Sequence, residues 1–233
     1  MSNVDQQEID KFSALAAKWW DPDGEFKSLH DINPLRVDLA QKACGGLFSK
    51  TVLDVGCGGG IFAEALAARE AKVSAIDMAS ASLDVARLHL LESGLSVDYQ
   101  LSTAENYAQQ HPSSFDLVTC LEMLEHVPQP QQVVEACAEL AKPDGTVIFS
   151  TINRTIKSHL MAIIAAEYLF DIIPKGTHQF DKFIKPSQLR RWIEASGLRV
   201  ESATGLHFNP LTQQYYLSNA NIDVNYFLIC RKK

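Results

Sequence analysis

The fold is decided by the stretch Thr51-Val-Leu-Asp-Val-Gly-Cys-Gly-Gly-Gly60. Its first five residues form a short apolar run, which is typical of a buried strand. The glycines that follow permit positive φ angles and let the backbone approach a ligand closely. Because a helical pattern over residues 61–69 comes next, the stretch predicts a strand, a tight glycine turn and a helix.

The same alternation continues on the C-terminal side of this stretch. Further strands are predicted at residues 72–76, 97–100, 115–120 and 146–150, and further helices at 80–93 and 130–141. Strands that alternate with helices indicate βαβ units and a parallel sheet with helices on both faces. A helix at 186–196 and strands at 198–202 and 224–229 are predicted to close the sheet.

The residues before the first strand are predicted to form a helical extension. A second helix in it is predicted to start with Asn33 as its N-cap and Pro34 in its first turn. We predict a single domain over residues 1–233. Its parts are the N-terminal extension at 1–48, a cofactor-binding core at 49–150, an apolar insertion at 151–185, and a closing helix and strands at 186–233.

The composition excludes several classes of protein. The chain has 233 residues, of which 46% are hydrophobic and 21% charged, as in a globular protein with a full core. Its net charge of -7 argues against a nucleic-acid partner. The N-terminus has neither the basic start nor the apolar stretch of a secretory signal. Five scattered cysteines without a Cys-x-x-Cys pair predict reduced thiols and a cytoplasmic protein.

A nucleotide site is predicted at the glycine turn. Asp77 lies 21 residues after Gly56 at the end of the second predicted strand, where a carboxylate can accept hydrogen bonds from a ribose diol. The structural alternative for Asp77 is a helix N-cap. A P-loop would need Gly-Lys-Ser/Thr, and the dinucleotide fingerprint would have glycine at Ile61. The third candidate ligand is S-adenosylmethionine, which Asp54 favours.

Asp54 lies inside the first predicted strand. A carboxylate in such a place costs free energy unless it has partners. Those partners are either the amides of the glycine loop or a cationic ligand. Asp54 is therefore a candidate cofactor residue, with a structural hydrogen bond to the loop as the alternative.

Glu122, Glu125 and His126 follow the fourth predicted strand. If this segment is helical, spacings of three and four residues place them on one face. One interpretation is a divalent metal site, in which oxygen-rich ligation suits Mg²⁺ or Mn²⁺ and the imidazole leaves Zn²⁺ open. A second is that His126 removes a proton from the substrate directly. A third is that these residues only shape the pocket.

Several motifs between residues 50 and 150 together resemble the class I S-adenosylmethionine-dependent methyltransferases. The motifs are Val52-Leu-Asp-Val-Gly-Cys-Gly-Gly-Gly60, Asp77, Phe115-Asp-Leu-Val118 and Lys142-Pro-Asp-Gly145. The resemblance implies a Rossmann-like α/β fold with a mostly parallel, seven-stranded sheet whose last strand is antiparallel. For the cofactor it implies that Gly56 and Gly58 approach the methionine part and that Asp77 holds the ribose. It also implies that Met78, Ala104 and Glu105 flank the adenine and that Leu121 lies beside the cofactor.

Over nearly its whole length the chain resembles the ubiquinone-biosynthesis O-methyltransferases. The motifs are Trp19-Trp-Asp21, Asn33-Pro-Leu-Arg36, the glycine turn, Glu122-Met-Leu-Glu-His126, Pro174-Lys-Gly-Thr-His178 and Asp223-Val-Asn-Tyr226. This family implies methylation of catechol-type hydroxyls on polyprenylated benzene intermediates at two steps of one pathway. It also implies that Arg36 reaches the cofactor carboxylate, that Mg²⁺ binds Glu122, Glu125 and His126, and that other proteins of the pathway are partners.

Two alternatives to this function remain open at the sequence level. One is a nicotinamide-dependent oxidoreductase on a related sheet, which Ile61 argues against. The other is a non-enzymatic protein that binds a prenyl lipid through the apolar insertion. That alternative gives no reason for the glycine turn and Asp77.

The insertion also predicts a membrane surface as a partner. The segment from Lys157 to Ile173 is unusually apolar, and within it only Glu167 and Asp171 interrupt the apolar residues. Residues 154–185 carry five Lys or Arg and three Asp or Glu, a local positive excess on an acidic chain. We therefore predict docking on anionic lipid at the inner face of the membrane. The alternative is a core-facing helix or a wall of the substrate pocket.

Overall fold

A computed structural model describes residues 3–155, 158 and 182–233. One sheet runs through these residues. Its strands are β1 (Thr51–Val55), β2 (Lys72–Asp77), β3 (Val97–Leu101), β4 (Phe115–Leu121), β5 (Ala141–Ile152), β6 (Leu198–Asn209), β7 (Gln214–Ser218) and β8 (Asn225–Lys232). The helices are α1 (Gln6–Ala14), α2 (Lys27–Cys44), α3 (Ile61–Ala67), α4 (Ser80–Ser93), α5 (Ala104–Gln110), α6 (Pro130–Leu140) and α7 (Pro186–Ala195).

The strands lie in the order β3-β2-β1-β4-β5-β8-β6-β7. Strands β1 to β5 pair in parallel, and β8 pairs antiparallel with both β5 and β6. The predicted Rossmann-like α/β architecture is therefore confirmed. The strand order reverses between β1 and β4, and ligands of open α/β sheets bind in the crevice at such a point.

The sheet has one strand more than predicted. The seven-stranded expectation did not include β7, which pairs antiparallel with the far end of β6. Strand β6 itself continues to Asn209, beyond the predicted end at residue 202. The extra strand is only five residues long, and such short pairings depend on register with a neighbour rather than on a local pattern.

The predicted start of the second helix is wrong. Helix α2 begins at Lys27 and carries Pro34 in its interior, although proline there removes a backbone donor. Asn33 is not an N-cap, because its side-chain Nδ2 donates to the carbonyl oxygen of Ile61 at 3.1 Å. This bond joins α2 to the beginning of α3, close to the glycine turn.

The core consists of two apolar layers on the two faces of the sheet. Helices α5, α6 and α7 cover one face, and α2, α3 and α4 cover the other. Neighbouring residues of β1 point into different layers, Leu53 into the first and Val52 into the second, as the strand period of two requires. A smaller cluster around Trp19 and Phe26 packs the N-terminal extension against Ile61.

Within the described residues, no helix is both long enough and apolar enough to cross a membrane. The segment from Lys157 to Ile173 lies outside the described residues except for Ser158, and so does the motif that ends at His178. The division of the chain into one domain with four parts stays a prediction.

Candidate active site

The glycine turn follows β1 at the carboxyl edge of the sheet. Gly56, Gly58 and Gly60 have φ angles of 76°, 54° and 86°, which other residues rarely adopt. A Cβ atom on Gly56 would lie 2.6 Å from Cγ of Met123, and one on Gly58 would lie 2.4 Å from the ring of Trp19. Both the backbone angles and the available space therefore require glycine here.

Asp77 at the end of β2 holds this turn in place. Its Oδ2 accepts a hydrogen bond from the backbone N–H of Gly58, and its Oδ1 accepts one from Ala79, both at 2.8 Å. Burial raises the pKa of Asp77 against the opposing effect of these amides. The carboxylate thus has a structural role before α4. An ionised carboxylate has about four acceptor sites, so a ribose hydroxyl can still bond to it.

Asp54 is buried in β1 and finds its partner on the neighbouring strand. Oγ1 of Thr119 in β4, rather than an amide of the glycine loop, donates to Oδ1 of Asp54 at 2.8 Å. Burial raises the pKa of Asp54 to about 6, while the Thr119 hydrogen bond and the charge of Arg36 act in the opposite direction. Asp54 therefore adds to the negative potential beneath the turn.

Arg36 on α2 brings the opposite charge into the same place. Its side chain is only 7% exposed, and it interacts electrostatically with Glu122, Asp54 and Glu125. Among the described residues, Nε and Nη2 of this guanidinium have no hydrogen-bond partner. Buried donors without acceptors are costly, and a guanidinium fork suits a carboxylate. The free donors therefore fit the carboxylate of the cofactor that the resemblance implies.

The residues expected around the adenine lie at the same edge of the sheet. Met78 follows β2, Ala104 and Glu105 begin α5 after β3, and Leu121 ends β4. Oε1 of Glu105 accepts a hydrogen bond from Nδ2 of Asn3 at 2.8 Å. The structure thus gathers the predicted cofactor residues, and it adds the N-terminal segment as a neighbour that was not predicted.

The segment with Glu122, Glu125 and His126 is not the helix that its spacing suggested. Glu122 has a φ angle of 52°, and only Leu124–His126 form a short 3₁₀ turn. Oε1 of Glu122 accepts a hydrogen bond from Oγ of Ser150 at 2.6 Å, and Oε2 accepts one from Nδ2 of Asn225 at 3.0 Å. Strands β5 and β8 therefore orient this carboxylate.

Glu125 is buried next to Glu122. Its Oε2 accepts a hydrogen bond from Oγ1 of Thr151 at 2.7 Å. Burial, followed by the neighbouring charge of Glu122, raises the pKa of Glu125 to about 7, while His126 lowers it. Two adjacent carboxylates with an imidazole have the donor chemistry of a hard divalent cation. In the part of the chain that the structure describes, no three such side chains already converge as a metal cage.

Glu8 of α1 is a residue of the site that sequence reasoning missed. Its Oε2 lies 2.9 Å from Nδ1 of His126, and its Oε1 accepts a hydrogen bond from Nζ of Lys182 at 3.2 Å. The hydrogen bond with His126 is the main cause that lowers the pKa of Glu8 to about 2. Because Glu8 and His126 are 118 residues apart, no local pattern indicates the pair.

Trp19 and Trp20 fasten the N-terminal segment to the cofactor edge. Nε1 of Trp20 donates to the carbonyl oxygen of Gly59 at 2.9 Å. Nε1 of Trp19 donates to Oγ of Ser82 at 3.2 Å, and the ring of Trp19 lies against Gly58. Helix α1 and these tryptophans therefore cover the glycine turn and the Glu122–His126 segment from one side.

A small cavity of about 180 Å³ opens beside Glu125. Its walls combine the apolar Leu124, Ile184 and Trp192 with the charged Glu125 and Lys182. Two of its other lining residues, Arg154 and Gln188, belong to described stretches before and after the segment that the structure does not describe. A larger groove of about 560 Å³ between α2 and the strands β6 and β8 contains none of the predicted site residues. The smaller cavity is therefore the better candidate for a substrate ring.

The chain is similar in sequence to known methyltransferases. Residues 9–203 match a family described as a methyltransferase domain. The chain is 56% identical over 229 residues to the ubiquinone biosynthesis O-methyltransferase of Pectobacterium carotovorum subsp. carotovorum, covering 98% of this chain and 95% of that protein. It is 55% identical over 231 residues to the ubiquinone biosynthesis O-methyltransferase of Azoarcus sp. (strain BH72), covering 99% of this chain and 98% of that protein.

The fold is also similar to solved structures. One is the crystal structure of magnesium protoporphyrin IX methyltransferase from Synechocystis PCC 6803 with bound SAH. It matches with a TM-score of 0.69 and 20% identity over 98% of this chain and all of that chain. At this identity the likeness shows a shared fold and nothing about the substrate.

Proposed function

The chain belongs to the family of ubiquinone biosynthesis O-methyltransferases, and from that premise we propose that it methylates catechol-type hydroxyls of polyprenylated benzene intermediates, at both O-methylation steps. Its methyl donor is S-adenosylmethionine. The buried guanidinium of Arg36, with free donors at the crevice between β1 and β4, is the observation that carries the proposal.

The cofactor supplies a methyl group on a sulfonium, which is a good leaving group, so alignment is the main remaining task. Arg36 binds its carboxylate, the glycine turn admits its methionine part and Asp77 binds its ribose. Asp54 and Glu125 are buried and Asp77 is half-buried around this place, and the buried cation Arg36 interacts with Asp54 and Glu125. Burial raises the pKa of all three carboxyls, and a positively charged ligand beside them would favour their ionised forms.

On the substrate side, the chain must favour the ionised form of the phenolic hydroxyl. We propose that Glu122, Glu125 and His126 hold a divalent cation, with Mg²⁺ as the candidate, which would stabilise the phenolate as a Lewis acid. The neighbouring carboxylates of Glu122 and Glu125 support this proposal. The rival is a direct role of His126 as base, in which Glu8 at Nδ1 would leave Nε2 free to accept the proton.

Chelation separates these two mechanisms. We expect EDTA to remove most of the turnover and Mg²⁺ to restore it, because the cation acts on the substrate hydroxyl.

Glu125→Gln should reduce turnover more than cofactor affinity, since this carboxylate lies on the substrate side. Turnover with labelled S-adenosylmethionine and calorimetric affinity measure the two effects. The exposed Glu139→Gln is the matched control, and full activity after exhaustive chelation would favour His126 as the base.

The transfer itself is tested with a soluble substrate. The full chain is incubated with labelled S-adenosylmethionine and a short-tailed prenyl catechol, and the product is analysed by mass spectrometry. We expect one methyl group on a ring oxygen. A thermal shift with NADPH and none with S-adenosylmethionine, without methyl transfer, would point instead to the oxidoreductase.

We further propose that the protein acts in the cytoplasm on the inner face of the membrane. A polyprenyl substrate resides in the bilayer, because each buried CH₂ contributes about 0.8 kcal/mol. The apolar segment 157–173 and the positive charges around it support docking on anionic lipid. The family also supports other enzymes of the same pathway as partners.

Co-flotation tests the docking of this segment. The full chain should float with vesicles rich in phosphatidylglycerol, and salt should weaken the binding. Replacing Ile164 and Leu169 together by glutamate should weaken it further, because both changes place charge in the apolar segment. Leu91→Glu, an exposed change on α4, is the control. If the native chain stays unbound at low salt, the segment is not the docking element.

A further inference from the structure

Strands β6 and β7 form a hairpin that extends beyond the active-site edge of the sheet. Asn225 pairs with both Ile152 at the end of β5 and Leu206 in β6, and its side chain binds Glu122. Leu206 therefore lies level with Ile152 and Asn225, at the edge of the sheet where Glu122 lies. The next five residues carry the chain about 10–17 Å beyond that row.

This hairpin has an unusual composition. Residues 202–222 contain no Lys, Arg, Asp or Glu, although 21% of the chain is charged. The large apolar side chains that it exposes are Leu211 at 92%, Tyr216 at 47% and Phe208 at 40%. Uncharged segments with exposed leucine and aromatic rings are typical of the layer between lipid headgroups and acyl chains.

The exposed side chains lie on both faces of the hairpin. Phe208 pairs with Tyr215 on one face, with ring centroids 5.0 Å apart. His207 pairs with Tyr216 on the other face at 5.3 Å, and Leu211 lies between the strands at the turn. Tyr215 and Leu217, on the same face as Phe208, also pack against the core that includes α2, so the hairpin leaves open the outer part of that face, the opposite face and the tip. A fluid apolar medium can reach all three at once, whereas a protein partner would cover one face.

We propose that the tip of this hairpin, residues 208–216, inserts into the interfacial layer of a lipid bilayer. Insertion would turn the edge with Glu122 toward the membrane, where a polyprenylated ring has to enter. The inference rests on the proposed function for the nature of that substrate. Because the hairpin carries no charge, its binding needs neither anionic lipid nor low salt, unlike the docking of segment 157–173.

Neutral vesicles at high salt isolate this contribution. The full chain is co-floated with phosphatidylcholine vesicles in salt at about 1 M. At this concentration the electrostatic screening length is only about 3 Å. Leu211→Glu should lower the partition coefficient about tenfold, since a charge replaces a buried leucine. The control Leu91→Glu changes a leucine that is 82% exposed at the end of α4, and it should leave the coefficient unchanged.

The possible results separate this inference from the proposed function. Three results would overturn the insertion. They are no binding of the native chain to the vesicles, a partition coefficient of Leu211→Glu within about twofold of the native value, and an equal loss of binding in Leu211→Glu and Leu91→Glu. The insertion is also overturned if Leu211→Glu changes the oligomeric state in the absence of lipid while its partition coefficient stays native. In that case a second copy of the chain covers the hairpin. Leu211→Glu should methylate a soluble short-tailed catechol at the native rate and a long-tailed one in vesicles more slowly. If no catechol is methylated, the proposed function fails while the partition result still stands.

Discussion

Arg36→Met is expected to weaken S-adenosylmethionine binding by two to four orders of magnitude. The guanidinium is proposed to make two charge-assisted hydrogen bonds to the cofactor carboxylate, each contributing about 1.5–3 kcal/mol, which gives roughly that range in affinity. Titration calorimetry with the purified protein measures the loss. Turnover at saturating substrate should fall in parallel, because little cofactor would be bound.

The same guanidinium is also the counter-charge of Asp54, Glu122 and Glu125, so Arg36→Met alone could weaken the fold. Arg36→Lys separates the two roles, since lysine keeps the charge but loses the planar fork. We expect this variant to keep the native melting temperature within a few degrees and to bind about thirtyfold more weakly. Arg69→Met, which changes an exposed arginine two residues after α3, is the control. Native affinity in Arg36→Lys would contradict a fork on the carboxylate.

Local patterns were sufficient for the architecture and for predicting that the candidate cofactor residues lie at one edge of the sheet. The apolar run before Gly56 and the acid at Asp77 each belong to one strand end, and parallel strands bring such ends to one edge of the sheet. Once the βαβ alternation is recognised, these residues must lie close together. This is why the crevice could be predicted although its hydrogen bonds could not.

The features that were missed depend on contacts between distant parts of the chain. Asn33 and Pro34 lie inside α2, and the Asn33 side chain bonds to Ile61, although Asn-Pro is an ordinary helix-start signal. The positive φ of Glu122 breaks a helical spacing that the sequence displays. Glu8 meets His126 only because α1 folds over the finished sheet. Such contacts are tertiary, and neither propensity nor periodicity encodes them.

Asp77→Ala is the second substitution with a large expected effect. The proposed ribose contacts are two charge-assisted hydrogen bonds, and their loss corresponds to a reduction of affinity of at least about a hundredfold. The structure adds a second consequence. The amides of Gly58 and Ala79 lose their acceptor, and each buried amide left unpaired costs about 1–3 kcal/mol of stability. The melting temperature of Asp77→Ala should therefore fall as well. A residue that only bound the cofactor would leave the melting temperature of the cofactor-free protein unchanged.

Asp77→Asn distinguishes the two consequences. The asparagine amide keeps one acceptor oxygen for the glycine turn but carries no charge, so the fold should be less affected than the affinity for S-adenosylmethionine. Asp98→Ala removes an exposed carboxylate from β3 and serves as the control. Calorimetry and thermal denaturation with and without cofactor measure both effects. An affinity of Asp77→Ala within threefold of the native value would exclude the ribose contact and leave Asp77 as the anchor of the glycine turn.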